Sequence, residues 1–131
     1  MLRPRHDLAA GFVSAETPAP GVAFAIGDKQ PRRVLIRATG PTLGALGLKG
    51  HLADPRIELL RGDAHLAGND DWGGGDEIAA AVSRLGALPF ASAESKDAAL
   101  LVTLAGSDYR VVARGADADG GVVLLEIREL P

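Results

Sequence analysis

The sequence predicts an all-β protein, an antiparallel β-sandwich of the jelly-roll kind, with about eight strands and one short helix. The 17 glycines and 8 prolines are spread along the chain and divide it into short apolar segments. Some of these segments alternate polar and apolar residues with the period of two that a half-buried strand requires. Only one segment has helical periodicity, whereas a parallel α/β fold would need repeated crossover helices.

The strand segments are short, rich in Val, Leu and Ala, and bounded by Gly, Pro or Asp. Residues 56–61 alternate polar and apolar side chains, and Gly62-Asp63 after them is a hairpin signal. Residues 40–47 contain too much glycine for a stable long helix and are predicted to form a structured loop that can include one short turn of helix. The predicted strands are residues 10–15, 21–27, 33–38, 56–61, 64–67, 98–104, 109–114 and 122–128.

The one predicted helix covers about residues 76–85. Ile78, Val82 and Leu85 recur at the spacing that places them on one face of a helix. Asp76 is a residue type that caps helix N-termini, and Gly86 is one that ends helices.

Size and composition indicate one folded domain, with a tail over residues 1–7 and a single β-sandwich over residues 8–131. The 131 residues are 47% hydrophobic and only 4% aromatic, so Val, Leu, Ile and Ala must build the core. The formal net charge of −3 gives the chain no overall attraction to nucleic acid or anionic lipid.

The absence of cysteine excludes disulfides and thiolate metal sites. The apolar runs are too short and interrupted for membrane insertion. Residues 1–7 lack the apolar region of a signal peptide, so the chain either is not exported in this form or is a mature or excised module.

Four phrases in order resemble a β-sandwich module of secreted or surface proteins of environmental bacteria, which has no assigned function. They are residues 34–43 (VLIRATGPTL), 52–55 (LADP), 69–72 (NDDW) and 121–127 (GVVLLEI). The order of strand, hairpin, acidic loop and strand also resembles the bacterial pre-peptidase C-terminal domain, a jelly-roll accessory module. The chain departs from the first pattern at Ser107-Asp108, where a glycine usually precedes the tyrosine strand, and at Arg128-Glu129, which replaces Tyr-Asp.

These resemblances imply an extracellular or cell-surface module without an active site, and they identify no ligand. From the residues themselves, catalysis is not expected. The chain has no Gly-x-Ser-x-Gly elbow, no phosphate loop and no convergent acid–base set. We therefore predict no catalytic residue and no enzymatic activity.

An acidic, glycine-rich loop is the strongest candidate site. Calcium binds six to eight oxygens, and glycines allow a loop to wrap around the ion. The alternative is that these residues only form turns, with Asp76 as a helix cap. No other cofactor is expected. The candidate calcium ligands are Asn69, Asp70, Asp71, Asp76 and Glu77.

Trp72, the only tryptophan, lies within this loop. Together with Asn69 it is a candidate for ligand binding, because an exposed indole can stack on a sugar or a protein partner. The alternative interpretation is that Trp72 folds back and covers the edge of the core, since tryptophan is usually highly buried.

Arg37 and Glu126 interrupt otherwise apolar strands. Isolated buried charges are costly, so each is expected to have a partner or to face solvent. We predict that Arg37 is a structural anchor bonded to Glu126, to Asp54 or to loop carbonyls.

Three functions therefore stay open. The first is a non-catalytic extracellular module for adhesion, assembly or targeting, with a protein or carbohydrate partner at the cell surface. The second is a calcium-dependent carbohydrate-binding module that uses residues 69–77. The third is a self-assembling subunit, in which residues 8–15 add to an edge strand of another copy; the alternative, which we favour, is that they pair within their own domain.

Overall fold

The computed structural model describes residues 7–14, 21–26, 30–115 and 121–130, with side chains described from Val22 onward. Most of the predicted N-terminal tail lies outside these ranges, and so do residues 15–20, 27–29 and 116–120.

Eight strands form two four-stranded antiparallel sheets, and two helices complete the described part of the chain. The strands are β1 (Asp7–Ser14), β2 (Gly21–Ile26), β3 (Arg32–Thr39), β4 (Pro55–Arg61), β5 (Ala64–Asn69), β6 (Ala98–Leu104), β7 (Ser107–Gly115) and β8 (Val122–Glu129), and the helices are α1 (Pro41–Ala45) and α2 (Asp76–Arg84).

Sheet A has the strand order β1-β8-β3-β6, and sheet B has the order β2-β7-β4-β5. Strand β1 pairs with β8, β2 with β7, β3 with β6 and β4 with β5. This nested pairing across two sheets is a jelly roll. The predicted all-β antiparallel sandwich is therefore confirmed.

The core lies between the sheets and follows the period of two along each strand. In β3, Val34 and Ile36 are fully buried within it, and in β4, Ile57 and Leu59 are. Sheet A buries its other face as well, because α2 packs there against Leu35.

The predicted helix is present as α2, and Gly86 follows it with a positive φ of 63°. The predicted cap was wrong: Gly75 is the N-cap residue, and Asp76 lies in the first turn. Gly75 is extended, and its carbonyl accepts the amide of Ala79. A carboxylate in the first turn, such as that of Asp76, is stabilised by the helix dipole.

A second helix, α1, lies in the segment predicted to be a structured loop. Pro41 occupies its first turn, where no amide hydrogen is needed. Its start is completed by a distant carboxylate, described below, which the local sequence does not reveal. Within the described ranges no helix has the length and apolar character needed to cross a membrane.

Candidate functional site

Asp97 is the centre of a buried hydrogen-bond network at the end of the sandwich where β3 leads into α1. Its side chain is fully buried. Oδ1 accepts hydrogen bonds from the amides of Gly40 at 2.7 Å and Thr42 at 3.2 Å, and Oδ2 accepts from the hydroxyls of Thr42 at 2.6 Å and Ser95 at 2.7 Å. Asp97 therefore caps the N-terminus of α1 although it lies far from the helix in sequence; this role is usually taken by the residue just before the helix. A single Asp before a strand carries no sequence signal for this role.

Trp72 folds back onto the segment 86–97, which connects α2 to β6. Its amide donates to the Asp97 carbonyl at 2.9 Å. The indole Nε1 lies 3.1 Å from both the Ser92 carbonyl and the Ser95 hydroxyl, and the ring packs on Phe90 with centroids 5.1 Å apart. This geometry favours the interpretation that Trp72 covers the edge of the core, because its polar atom and part of its surface are used within the chain.

Asn69 is also engaged internally. Its Oδ1 accepts from the amide of Ala99 on β6, and its Nδ2 donates to the carbonyl of Asp71, each at 3.1 Å. Asn69 thus ties the end of β5, in sheet B, to the start of β6, in sheet A. A carbonyl oxygen already holding an amide is a weaker candidate as a ligand to a metal or a sugar.

Three carboxylates gather where the β3–β4 connection meets the end of β5. One oxygen from each of Asp54, Asp70 and Asp71 lies within 4.8 Å of the others, and these residues form the acidic cluster. Asp76 and Glu77 are not members. Gly73 and Gly74, with φ of 78° and 69°, turn the chain between the cluster and α2.

Asp54 is the least exposed member of the cluster, with a side chain 21% exposed. Its Oδ1 is buried without a hydrogen-bond partner among the described residues, and Lys96 Nζ lies 3.9 Å from Oδ2. The pKa of Asp54 is raised from 3.8 to about 6, first by burial, then by a hydrogen bond with Asp70 and the negative charges of Asp70 and Asp71, while Lys96 opposes the shift. Carboxylate oxygens that repel one another in this way are suited to a hard divalent cation.

Arg37 and Glu126 face each other across β3 and β8, on the outer face of sheet A. Glu126 Oε1 accepts from Arg37 Nε at 3.1 Å and Nη2 at 2.6 Å, and Nη1 donates to the carbonyl of Leu88. The Phe90 ring lies 4.9 Å from the guanidinium carbon. The segment 86–97 thus buries the ion pair. Asp54, the third predicted member of this anchor, lies instead in the acidic cluster.

The fold belongs to the jelly-roll class of β-sandwiches, and a solved structure of the same class is similar to it. The pre-peptidase C-terminal domain of collagenase from Bacillus anthracis aligns over 97% of this chain and 99% of that chain, with a TM-score of 0.55 and 9% sequence identity. At this identity the similarity shows the fold alone. No protein-family model and no curated protein matches the sequence.

Proposed function

We propose that this chain is a non-catalytic accessory module that acts by binding, outside the cell or at its surface. The observation that carries the proposal is the engagement of polar side chains at the loop end of the sandwich. The side chains of Asp97, Trp72 and Asn69 each make hydrogen bonds within the chain that hold the loops together. Likeness in fold to a pre-peptidase C-terminal domain supports the accessory role.

The same network supports membership of the bacterial surface module whose four phrases the chain resembles. Gly40 and Thr42 from the first phrase and Trp72 from the third meet at Asp97. Three of these phrases therefore contribute residues to one end of the sandwich, with Asp54 of the second in the acidic cluster. A pattern of this kind specifies loop structure, and we propose that it marks the fold of the module rather than a shared ligand.

We further propose that the acidic cluster binds Ca²⁺. The specific observations are the juxtaposition of three carboxylates and the buried Asp54 Oδ1, which has no hydrogen-bond partner among the described residues. The cluster differs from the loop predicted from the sequence, because Asp54 takes the place of Asp76 and Glu77. The remaining ligands would be carbonyls or water, as is usual for weak extracellular sites.

Calorimetric titration of CaCl₂ into chelator-treated protein, with thermal unfolding alongside, tests the cation proposal. Calcium at 100 times the Kd stabilises a folded protein by about 2.7 kcal/mol, which for a domain of this size is roughly 10 °C in Tm. The variant D70N/D71N is expected to lose both signals. D63N, which removes an exposed charge in the β4–β5 turn, is the matched control. Absence of both heat and Tm shift in the parent protein contradicts calcium binding.

A broad panel of hydrolase substrates tests the accessory role itself. Turnover that is abolished by a single substitution and scales with protein concentration would contradict a non-catalytic module. Failure of calcium binding alone would leave the accessory role standing, so the two proposals can fail separately.

A further inference from the structure

The two sheets differ in what lies on their outer faces. The outer face of sheet A is covered by α2 over Leu35 and by the segment 86–97 over Arg37. In sheet B, β4 and β7 alternate between core residues and outward residues. The outward positions on these strands are Arg56, Glu58 and Leu60 on β4 and Asp108, Arg110, Val112 and Arg114 on β7.

Three arginines lie on this outer face of sheet B. Arg56 lies directly opposite Arg114, and their side chains are 52% and 50% exposed. Arg110 is exposed further along β7, four residues and therefore about 13 Å from Arg114. These three residues form the arginine face. The same face of β4 and β7 also carries the acidic residues Glu58 and Asp108, so three positive and two negative charges leave it at +1, whereas the whole chain has a net charge of −3.

The acidic residue between Arg56 and Arg114 balances only part of their charge. Like charges directly opposite each other on neighbouring strands are destabilising. Glu58 Oε1 lies 3.8 Å from the Nε of both Arg56 and Arg114, which is too far for a hydrogen bond. Glu58 therefore offsets part of the repulsion, and the guanidinium groups make no hydrogen bond to a described side chain.

We propose that the arginine face binds an acidic polysaccharide through its uronate carboxylates. A guanidinium matches a carboxylate in a planar, two-point hydrogen-bonded pair, and Arg56 and Arg114 present two such groups side by side. Arg110 repeats the charge along β7, as the carboxylates repeat along a polyuronate. The proposal goes beyond the accessory role by naming a partner class, and it does not use the acidic cluster.

Features of the face favour a polysaccharide over a protein partner. Protein interfaces depend on a few large anchors, above all aromatic residues packed at the centre. The described outward positions of β4 and β7 include no aromatic residue; Leu60 is half-buried and Val112 is buried. Recognition there must depend on charge and hydrogen bonds, which a regularly charged polymer supplies along its length.

Affinity electrophoresis and calorimetry with polygalacturonate test the proposal, using the full chain in EDTA to silence the acidic cluster. Fully methyl-esterified polygalacturonate keeps the backbone and removes the charge. Polyglutamate and duplex DNA are polyanions of the two other macromolecular classes. The parent protein is expected to bind polygalacturonate at least about tenfold more tightly than any of these.

The decisive variant is R56S/R114S, which removes two outward arginines from the sheet without touching the core. It is expected to bind polygalacturonate about 100-fold more weakly, about tenfold per guanidinium. R33S/R84S makes the same change in net charge on the α2 side of the molecule and is expected to stay within twofold of the parent. R56K/R114K, which keeps charge but loses the planar fork, is expected to be intermediate.

Three results would overturn the proposal. The first is a parent protein that does not bind polygalacturonate in EDTA. The second is R56S/R114S binding as tightly as R33S/R84S, with both folded by circular dichroism. The third is equal binding of polyglutamate or DNA, which would indicate nonspecific charge attraction or a partner of another class. Binding that appears only with calcium would point to the acidic cluster and also count against the arginine face.

Discussion

Substitution of Asp97 by alanine is expected to be among the most destabilising substitutions at a buried position of this protein. The carboxylate holds two backbone amides and two hydroxyls in a site where its own side chain is fully buried. The hydroxyls of Thr42 and Ser95 can rotate toward other acceptors. The amides of Gly40 and Thr42 cannot, because the start of α1 fixes them.

The expected loss in free energy of unfolding is estimated from the amides that D97A leaves without an acceptor. A buried donor without a partner costs about 1–3 kcal/mol, so the two amides together give about 2–6 kcal/mol. Such a loss is a large part of the 5–15 kcal/mol that stabilises a typical domain. D97N keeps an acceptor oxygen for the amides and is expected to lose about half as much.

Urea unfolding with linear extrapolation measures the difference, provided that the slope with denaturant concentration is unchanged. D63A in the exposed β4–β5 turn is the control and is expected to lie within about 0.5 kcal/mol of the parent. A loss below about 1 kcal/mol for D97A, or an equal loss for D97N and D97A, would refute the reasoning that α1 depends on this carboxylate.

Two further predictions concern buried or clustered charge. R37A is expected to destabilise the protein by about 3 kcal/mol, because the buried Glu126 keeps only the ion pair between its Oε2 and Arg128 Nη2, at 2.9 Å. An unchanged urea midpoint would contradict the role of Arg37 as an anchor. In calcium-free buffer the folded protein holds the Asp54 proton more tightly than the unfolded chain does. The stability due to this proton is therefore complete below about pH 4 and is lost as the pH rises through about 6. The Tm of the parent protein is therefore expected to fall between pH 4 and 7, and D54N is expected to abolish this fall. If the Tm of D54N falls in parallel with that of the parent, Asp54 is not the cause.

The strands could be predicted from the sequence because each is a short apolar segment bounded by turn residues, and some also alternate polar and apolar side chains. The outward direction of Arg37 also follows from alternation, since Val34 and Ile36 occupy core positions of the same strand. Its burial could not be predicted, because the segment 86–97 that covers it has no periodicity and is placed by tertiary contacts.

The candidate site was predicted only in part, for a physical reason. Closeness along the chain suggested that Asp70 and Asp71 act together with Asp76 and Glu77. Two glycines with positive φ redirect the chain between them, and the sandwich instead brings in Asp54 from another connection. The net charge of −3 describes the whole chain and does not reveal that Arg56, Arg110 and Arg114 share one face of sheet B.

The nested pairing of the strands also governs how the chain must fold. Only β4 and β5 are neighbours in sequence, whereas β1 must find β8, with Asp7 opposite Arg128. Each pair outside the β4–β5 hairpin closes a longer loop than the pair inside it, and the entropy of closure must be met before the contact forms. Folding is therefore expected on the slow scale of milliseconds to seconds typical of nonlocal β-proteins. Strand β1, whose pairing with β8 closes the longest loop, would be the last to become protected.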